Sequence, residues 1–393
     1  MSAVMPASQQ RDAVAVPRAR GLSLPFDLTL LLAALGLGSC SVLTLDKATA
    51  DPSYYVQRQL IYLAIGTAVA IAVWRLDITR LIELRRLTYA LLIGSILAVK
   101  LFGAEAKGAR RAIELPGFSF QASELGKVLL VVSLSAFVAA GGRREGPLKA
   151  TARTLALTLV PAVLVMLQPD LGTSLVFIVI GLATLFVGGA PWQHFAALGA
   201  LGAIVIALAF AVLPAAGVQV LHGYQKDRLT AFLHPSDTTS KESYQQNQSQ
   251  IAIGSGEKTG RGARATQTRF NFVPERHTDF VFAVVGERWG FAGAALVLSL
   301  YALLIWRGLR ILLLSKNLYG ALVAGGIVTM LLFQVFVNVG MTVAIMPITG
   351  IPLPLMSYGG SSLIATLLAV GLLQAIYAQG REATRATGRV LTF

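Results

Sequence analysis

Long apolar windows recur along this chain from about residue 26 to residue 378, and they limit its possible folds more than any other feature. The 393 residues are 55% hydrophobic and 13% charged, with a mean hydropathy of +0.68. A water-soluble core could not bury so much apolar surface, whereas a bilayer accommodates it in helices of about 20 residues. The sequence therefore predicts an all-α polytopic membrane protein.

The apolar windows predict about ten transmembrane helices. They lie at roughly 26–46, 58–74, 86–102, 121–140, 152–168, 172–190, 193–214, 280–306, 318–346 and 358–378. Alternate connections are basic, namely 75–86, 141–149, 307–316 and 380–389. Because positively charged loops stay on the cytoplasmic side, both termini are expected in the cytoplasm.

The domain organisation follows from these windows. Residues 1–22 lack an apolar core followed by a cleavage site, so we interpret them as a cytoplasmic tail and not as a cleaved signal. A transmembrane domain is expected over 23–380, and a second cytoplasmic tail over 381–393. The connection 215–279, between spans seven and eight, is extracytoplasmic in this topology and has about 65 residues, a length typical of disordered or functional loops.

Short apolar patches alternate with polar groups in two parts of that connection, 223–237 and 244–260. This pattern predicts amphipathic segments that lie at the membrane interface. The stretch GSGEKTG in the second part lacks the spacing and the preceding strand of a phosphate-binding loop.

The net charge of +14 does not indicate a nucleic-acid partner. In a membrane protein such an excess reflects topology signals and contact with anionic headgroups, so we expect membrane contact and no nucleic acid. The single cysteine, Cys40, excludes an intrachain disulfide.

Two motifs bring charge to the ends of apolar windows. In FQASELGK (120–127), Glu124 and Lys127 share one helix face, and charges in a spanning helix normally face the protein interior or a wet cavity. The alternative is that Lys127 snorkels to the interface with Glu124 as its partner. In the turn LQPDLGTS (167–174), Asp170 either caps the next helix or adds a carboxylate to the same membrane face.

The stretch PERHTDF, Pro274–Phe280, gathers four titratable or charged side chains directly before an apolar run. A metal site is a weak interpretation, because no histidine pair in the chain has H-x-x-x-H spacing. The stretch is either a helix cap, through Thr278 or Asp279, or a catalytic element with Asp279 as a base beside Arg276. The residues alone leave these two interpretations open.

The segment MPITGIPLPLMSYGGSS (346–362), which contains Ser357, joins the last two apolar windows. Three prolines and a Gly-Gly pair prevent a continuous helix. Irregular backbone at membrane depth must be buried in protein or line a cavity. The alternative is an ordinary tight hairpin outside the membrane.

Five motifs, in this order on ten spans, closely resemble the SEDS family (shape, elongation, division and sporulation). They are FQASELGK, LQPDLGTS, QSQIAIGSG, NFVPERHTDFVFAVVGE and PITGIPLPLMSYGGSS. The resemblance covers nearly all of 26–378 and is closer to the elongation members than to the division members, chiefly through FNFVPERHTDF. Two loops depart from the family pattern: GSGEKTGRG stands where a run such as GSGGLLGKG is more usual, and KGARRAI lacks the common tryptophan.

The resemblance implies a peptidoglycan glycosyltransferase that polymerises lipid II at the outer face of the bacterial cytoplasmic membrane during cell-wall elongation. It implies that the aspartate of H-T-D-F, here Asp279, is essential and that a divalent cation, Mg²⁺ or Mn²⁺, takes part at that residue. It also implies a class B penicillin-binding protein as the transpeptidase partner, within a set of elongation-complex membrane proteins.

The implied chemistry needs few protein groups. Transfer from an α-linked lipid diphosphate to a β-linked product is an inverting displacement, and a diphosphate leaves readily once its charge is neutralised. One base and a cationic clamp therefore suffice. Asp279 is the expected base, and the other expected substrate contacts are Arg110, Arg111, Lys127, Arg276, Glu124 (through Lys127), Asp170 and Ser357.

Two other functions suit the same architecture. A lipid II flippase would also use intramembrane charges, but it should carry them near the midplane and inner half of the spans, where few occur. A non-catalytic scaffold would use PERHTDF to dock and activate a partner synthase. The clustering of polar candidates at one membrane face favours catalysis.

Overall fold

The computed structural model describes residues 25–48, 52–106, 109–115, 117–141, 145–208, 228, 232 and 241–386. Over these parts the chain forms long helices, a few short helical segments and one small sheet. The helices are α1 (Leu28–Ala48), α2 (Pro52–Trp74), α3 (Arg85–Phe102), α4 (Ala122–Gly141), α5 (Pro147–Met166), α6 (Leu171–Val187), α7 (Trp192–Ala207), α8 (Lys241–Ser255), α9 (Thr266–Arg269), α10 (Val281–Leu314), α11 (Leu318–Thr342) and α12 (Gly360–Ala386).

The ten predicted windows all contain a helix. Seven helices are long and apolar enough to cross a bilayer, namely α1, α2, α4, α5, α10, α11 and α12, and α6 and α7 are shorter apolar helices. Helix α3 fills the remaining window but carries two arginines in its first turn and Lys100 in its last. The polytopic α-helical architecture is confirmed, while the orientation of the termini stays a prediction.

The connection between α3 and α4 forms a three-stranded antiparallel sheet that the sequence did not predict. Its strands are β1 (Ala104–Ala106), β2 (Ala109–Leu115) and β3 (Phe118–Phe120), in the order β1-β2-β3. The Ser361 hydroxyl, in the first turn of α12, donates to the Ser119 carbonyl at 2.8 Å. The sheet is thereby fixed over the ends of α4 and α12.

Helices α11 and α12 form the centre of the bundle, where small residues allow close approach of backbones. A Cβ at Gly371 of α12 would lie 2.6 Å from the Ala70 carbonyl oxygen of α2. A Cβ at Gly326 of α11 would lie 2.8 Å from the Val131 side chain of α4. The helices that carry the polar motifs are thus packed rigidly against one another.

Helix α10 is two helices that meet at Gly290, where φ is 62° and ψ is −155°. The break leaves backbone amides and carbonyls of α10 without partners inside the helix, and a neighbouring loop forms hydrogen bonds with them. The Phe291 and Ala292 amides donate to the Glu257 and Lys258 carbonyls at 2.9 and 3.1 Å, and the Arg261 amide donates to the Glu287 carbonyl at 2.8 Å. The GSGEKTGRG loop therefore completes the helix at its break.

Helix α8 covers most of the segment 244–260, whose place at the membrane interface stays a prediction. One of its faces is buried and mainly polar, through Ser243, Gln245, Gln246 and Ser249, and the helix packs against α10 and α11. Ser249 donates to the Thr342 carbonyl at 2.8 Å, and Gln246 donates to the Met346 carbonyl at 3.3 Å. These carbonyls lie where α11 ends, so they need partners from outside that helix. The other predicted segment, 223–237, lies almost wholly outside the described residues.

The opposite end of the bundle is held by an ion pair between α1 and α10. The buried Asp27 carboxylate accepts from the Arg307 Nε at 2.9 Å and pairs with the Arg307 Nη2. Gln374 of α12 accepts from the Asp27 amide at 2.7 Å and donates to the Asp27 carbonyl at 2.9 Å. Three helices separated widely in sequence are thus joined at one residue.

Candidate active site

Residues 343–359, between α11 and α12, contain no helix and lie largely within the protein. The buried side chains are those of Ile348, Ile351, Leu353, Pro354, Leu355, Met356 and Ser357. This confirms the prediction of irregular backbone buried in protein rather than a hairpin outside it. The segment forms the floor of the candidate site.

PERHTDF folds into a hydrogen-bonded turn above this floor. The Thr278 and Phe280 amides donate to the Glu275 carbonyl at 3.1 and 3.2 Å. The Thr278 hydroxyl contacts the Glu275 carboxylate at 3.0 Å, so it bonds within the turn, and the residue that precedes α10 is Phe280. The turn is therefore stabilised locally before any contact with the floor.

Ser357 fastens the turn to the floor. Its hydroxyl is 3% exposed, donates to the Thr278 carbonyl at 2.6 Å and accepts from the Leu353 amide at 2.8 Å. The Tyr358 amide donates to the His277 carbonyl at 2.8 Å. Ser357 thus has a positioning role in this structure, and its contact with substrate stays a prediction.

Asp279 ends the turn, and Asn338 holds its backbone. The Asn338 Nδ2 donates to the Asp279 carbonyl at 2.9 Å and to the Ile351 carbonyl at 2.8 Å. Asn338 belongs to α11 and is fully buried, and its Oδ1 has no hydrogen-bond partner within the described residues. One amide therefore fixes the turn and the floor relative to each other.

The Asp279 carboxylate lies over Gly350. A Cβ at Gly350 would be 3.7 Å from the Asp279 Oδ2 and 3.7 Å from the Arg228 Nη2. Gly350 has a φ of 75°, a conformation that other residues rarely adopt. Because Gly350 has no side chain, the Asp279 carboxylate and the Arg228 guanidinium can both lie close to the backbone at this position.

Arg228 was not among the predicted site residues. It comes from the long connection, and its Nη1 donates to the Thr349 carbonyl at 3.0 Å. In the sequence Arg228 is only one of several cations in a polar connection between apolar windows. That pattern is too common to identify it as a site residue. Asn338 was not predicted, because a single uncharged amide in an apolar window resembles a core residue whose hydrogen bonds are made within the protein. Its signal was its position, since polar side chains within membrane spans are often functional.

Arg276 lies in the turn but points into the protein. It is 9% exposed, and burial lowers the pKa of its guanidinium, an effect that the nearby Tyr55 hydroxyl opposes. The guanidinium remains a cation, because arginine titrates far above neutral pH. His277 beside it packs against the Tyr55 ring, with the centroids 5.1 Å apart.

Glu124 and Lys127 form a buried pair within the first turns of α4. The Lys127 Nζ lies 2.8 and 2.7 Å from the two Glu124 carboxylate oxygens, and both side chains are almost fully buried. The predicted pairing is confirmed, and burial contradicts the alternative in which Lys127 snorkels to the interface.

Asp170 caps α6, as one of its two interpretations predicted. Its carboxylate accepts from the Thr173 amide at 3.1 Å and from the Thr173 hydroxyl at 2.8 Å. It also lies 3.5 Å from the Ser123 hydroxyl, one residue before Glu124. A Cβ at Gly172 would be 2.7 Å from the Thr349 carbonyl oxygen, so the cap of α6 touches the floor.

The connection between α3 and α4, which carries Arg110 and Arg111, reaches the same turn. The Arg111 Nε donates to the Gln168 carbonyl at 3.4 Å, and its Nη2 donates to the Pro169 carbonyl. Arg110 pairs through its backbone with Glu105 in the sheet, and its side chain lies outside the described residues. The sheet therefore carries Arg111 to the Asp170 turn.

Residues Thr349–Ile351 join the predicted site residues into one arrangement. On one side they meet Asp279 and Arg228, and on the other they meet the α6 cap that neighbours the start of α4. A carboxylate at a helix start, cations from two connections and a floor of buried backbone suit proton abstraction next to an anionic group.

The described residues contain no cluster of three or more His, Cys, Asp or Glu side chains that could hold a metal ion. Magnesium nevertheless binds in many enzymes through one or two carboxylates together with substrate phosphates. Asp279 with a diphosphate substrate fits that kind of site, whereas a metal cage made wholly by the described residues does not.

Comparison with known proteins relates the whole membrane domain to one family. The family of cell cycle proteins that comprises FtsW, RodA and SpoVE matches residues 22–382. The chain is 36% identical over 354 residues to the peptidoglycan glycosyltransferase MrdB of Escherichia coli (strain K12), covering 89% of this chain and 93% of that protein.

Two solved structures share the fold. A chain of a peptidoglycan synthase complex that coordinates polymerisation and crosslinking has a TM-score of 0.77 at 33% identity, covering 91% of this chain and 99% of that chain. The crystal structure of the rod shape determining protein RodA of Thermus thermophilus has a TM-score of 0.65 at 32% identity, covering 90% and 97%.

Proposed function

This chain belongs to the FtsW, RodA and SpoVE family and is a peptidoglycan glycosyltransferase, and we propose that it polymerises lipid II with Asp279 as the general base. The observation that carries the proposal is the position of the Asp279 carboxylate over Gly350, close to the Arg228 guanidinium. A base and a cation at one spot are what transfer from a diphosphate donor requires.

In the proposed reaction Asp279 accepts the proton of the 4-hydroxyl of the acceptor GlcNAc. The oxygen attacks the anomeric carbon of the donor MurNAc, and the bond from that carbon to the lipid diphosphate breaks with inversion. The electron pair leaves on the diphosphate. The proton on Asp279 then passes to solvent, which restores the base.

The cations near the floor stabilise the leaving diphosphate. Arg228 is the candidate nearest to Asp279 through Gly350, and Arg111 lies at the turn that touches Thr349. Lys127 in α4 is a further candidate donor to the diphosphate, with its ammonium held by the Glu124 carboxylate. Arg110 and Arg276 belong to the same basic set, and preorganised cations of this kind act on charge that develops in the transition state.

A divalent cation, Mg²⁺ or Mn²⁺, would be held by Asp279 together with substrate diphosphate oxygens and would neutralise charge on the leaving group. Orientation by Asn338 and Ser357 keeps the Asp279 turn in place whether or not a metal is bound.

The proposed setting is the outer face of the bacterial cytoplasmic membrane during cell-wall elongation. The charge pattern of the alternate loops supports an outward-facing site. The structural relative within a synthase complex supports a class B penicillin-binding protein, among other elongation-complex membrane proteins, as partner.

The test is polymerisation of lipid II by the purified protein, alone and with its partner, in the presence of Mg²⁺. Asp279→Asn keeps the size of the side chain and removes the base. We expect glycan synthesis to fall about 10²–10⁴-fold, the usual contribution of a positioned acid or base.

Glu275→Gln is the matched control, since it makes the same chemical change in the same turn. It should retain activity within about tenfold, because Glu275 bonds within the turn. Full activity of Asp279→Asn would contradict the proposal. Lipid II translocation in liposomes without any polymer from the unaltered protein would support the flippase instead.

A further inference from the structure

An apolar groove lies between α1 and α10, directly beside the break in α10. It has a volume of about 420 Å³ and is open along one side. That volume is within the range of small-molecule sites, about 300–1,000 Å³. Its lining includes Cys40, Leu43, Trp289, Ala292 and Leu296, and Thr259 lies at its rim.

Two charged pairs fix the depth of this groove in the membrane. Asp27 pairs with Arg307 at one end of the antiparallel helices, and Asp46 interacts electrostatically with Arg288 at the other. Asp27, directly before α1, and Asp46 are nineteen positions apart, about 28 Å along a helix axis. Arg288 and Arg307 are also nineteen positions apart, with the break of α10 at Gly290 between them. This matches the hydrocarbon thickness of about 30 Å.

The groove therefore begins directly inside the hydrocarbon layer at the Asp46 level. Its α1 side, Cys40 to Thr44, lies within two turns of Asp46. Trp289 is next to Arg288, at the depth where tryptophan side chains collect in membrane proteins. A groove at this depth, with an apolar lining, suits a hydrocarbon chain from one leaflet.

The rim of the groove is strongly basic. The loop segment 257–269 has four exposed cations, Lys258, Arg261, Arg264 and Arg269, and one exposed carboxylate, Glu257. Lys258 is adjacent to Thr259, the loop residue that lines the groove. Arg261 is two residues after Thr259, and its Nε donates to the Ser255 carbonyl at 2.9 Å. A polar headgroup above the groove would thus meet an excess of positive charge.

We propose that the groove binds one acyl chain of an anionic phospholipid, whose phosphate lies against Lys258 and Arg261. The apolar lining suits the chain, and the charge of the rim suits the phosphate. The site is distinct from Asp279, which Asn338 holds on the α11 side of α10.

Trp289 provides a direct probe, because brominated acyl chains quench indole fluorescence on contact. In a Trp74→Phe, Trp192→Phe, Trp306→Phe background, Trp289 is the sole tryptophan. We expect brominated phosphatidylglycerol to quench it more than brominated phosphatidylcholine at equal mole fraction in nanodiscs. Removing both rim cations, Lys258→Gln with Arg261→Gln, should weaken the preference about fivefold per cation.

The matched controls change charge and volume elsewhere. Lys149→Gln with Arg86→Gln removes two exposed cations from the first turns of α5 and α3, and it should leave the preference unchanged. Ala292→Phe fills the groove and should abolish the excess quenching, whereas Ala197→Phe, on the exposed side of α7, should not.

Three outcomes would overturn the proposal. The first is equal quenching by the two lipids in the unaltered groove. The second is a preference that the rim substitutions do not reduce. The third is an Ala292→Phe variant that keeps the lipid preference but releases a bound transpeptidase, which would identify the groove as a protein contact. Gel filtration of each variant checks that it is folded, so these results remain interpretable.

Discussion

Two aspartates at opposite ends of the bundle are held in the same way and used differently. A buried amide donates to the backbone carbonyl of each at 2.9 Å, Gln374 to Asp27 and Asn338 to Asp279. At Asp27 the carboxylate is 2% exposed and bound by Arg307 and the Leu30 amide. At Asp279 the carboxylate is only partly buried, over a glycine.

The comparison shows that the same kind of backbone hydrogen bond supports a structural aspartate at one end of the bundle and the candidate catalytic aspartate at the other. The Asp27 carboxylate is bound to Arg307 and thereby joins α1 to α10, so this residue serves the stability of the fold. At Asp279 the backbone is fixed while the side chain stays partly exposed, an arrangement that suits a group that must meet a substrate. Perturbing each end should therefore affect different measurements.

The largest effect on stability is expected from Asp27→Asn. It leaves Arg307 without its partner, and breaking a buried pair costs about 3–5 kcal/mol. Thermal unfolding in detergent should show a lower Tm, while the folded fraction polymerises lipid II at the normal rate. A normal Tm with lost activity would contradict the division of roles between the two ends.

Substitutions in the Glu124–Lys127 pair test whether a buried ion pair contributes to glycan polymerisation. Unlike the Asp27 pair it lies within one helix, so it joins no separate elements. Replacing both, Glu124→Gln with Lys127→Met, removes the charges together and should change stability by under about 1.5 kcal/mol. We expect polymerisation to fall about a hundredfold, and retained activity would make the pair purely structural.

The two amides give a matched pair of substitutions. Asn338→Ala and Gln374→Ala should each lower the free energy of unfolding by about 1–3 kcal/mol, because each leaves buried polar groups without a partner. Asn338→Ala removes the donor to the Asp279 and Ile351 carbonyls, and Gln374→Ala removes both the donor to the Asp27 carbonyl and the acceptor of the Asp27 amide. Only Asn338→Ala should lower kcat, by about ten- to a hundredfold, with little change in KM for lipid II. Equal kcat values for the two variants would contradict a positioning role for Asn338.

The smallest effect is expected at a third aspartate, Asp77, which is exposed and accepts from the Thr79 hydroxyl at 2.6 Å and the Thr79 amide at 3.0 Å. These hydrogen bonds lower the pKa of Asp77. Its contribution is therefore present above the unfolded pKa of about 3.9 and is lost as pH falls through the lower folded value.

Asp77→Asn should thus lower Tm slightly at pH 7, and the difference should shrink in acid. Lipid II polymerisation should be unchanged at pH 7. A change in activity would show that charge removal at any aspartate disturbs the enzyme, which would weaken the contrast between Asp27 and Asp279.

The sequence predicted the helices and most of the site because both have local signals. Apolar windows of about 20 residues identified the spans, and Asp170, Glu124 and Asp279 stood out as carboxylates in motifs at helix ends. The break of the chain between α11 and α12 followed from its prolines.

What the sequence missed depends on contacts between distant residues. The polar face of α8 turns inward because carbonyls at the end of α11 need donors, and no pattern within α8 records that need. Arg228 belongs to the site only because it meets Thr349, 121 positions away. The strands between α3 and α4 are likewise too short for a periodic signal.

The contacts that hold the Asp279 turn also set an order of events during biosynthesis. The turn precedes α10, yet its fastenings come from Asn338, Ser357 and Tyr358, which the ribosome makes 59 to 81 residues later. A nascent chain that has inserted α10 but not yet α11 and the following segment has the base without its support. The catalytic arrangement therefore forms only after nearly the whole membrane domain has been inserted, which keeps incomplete chains inactive.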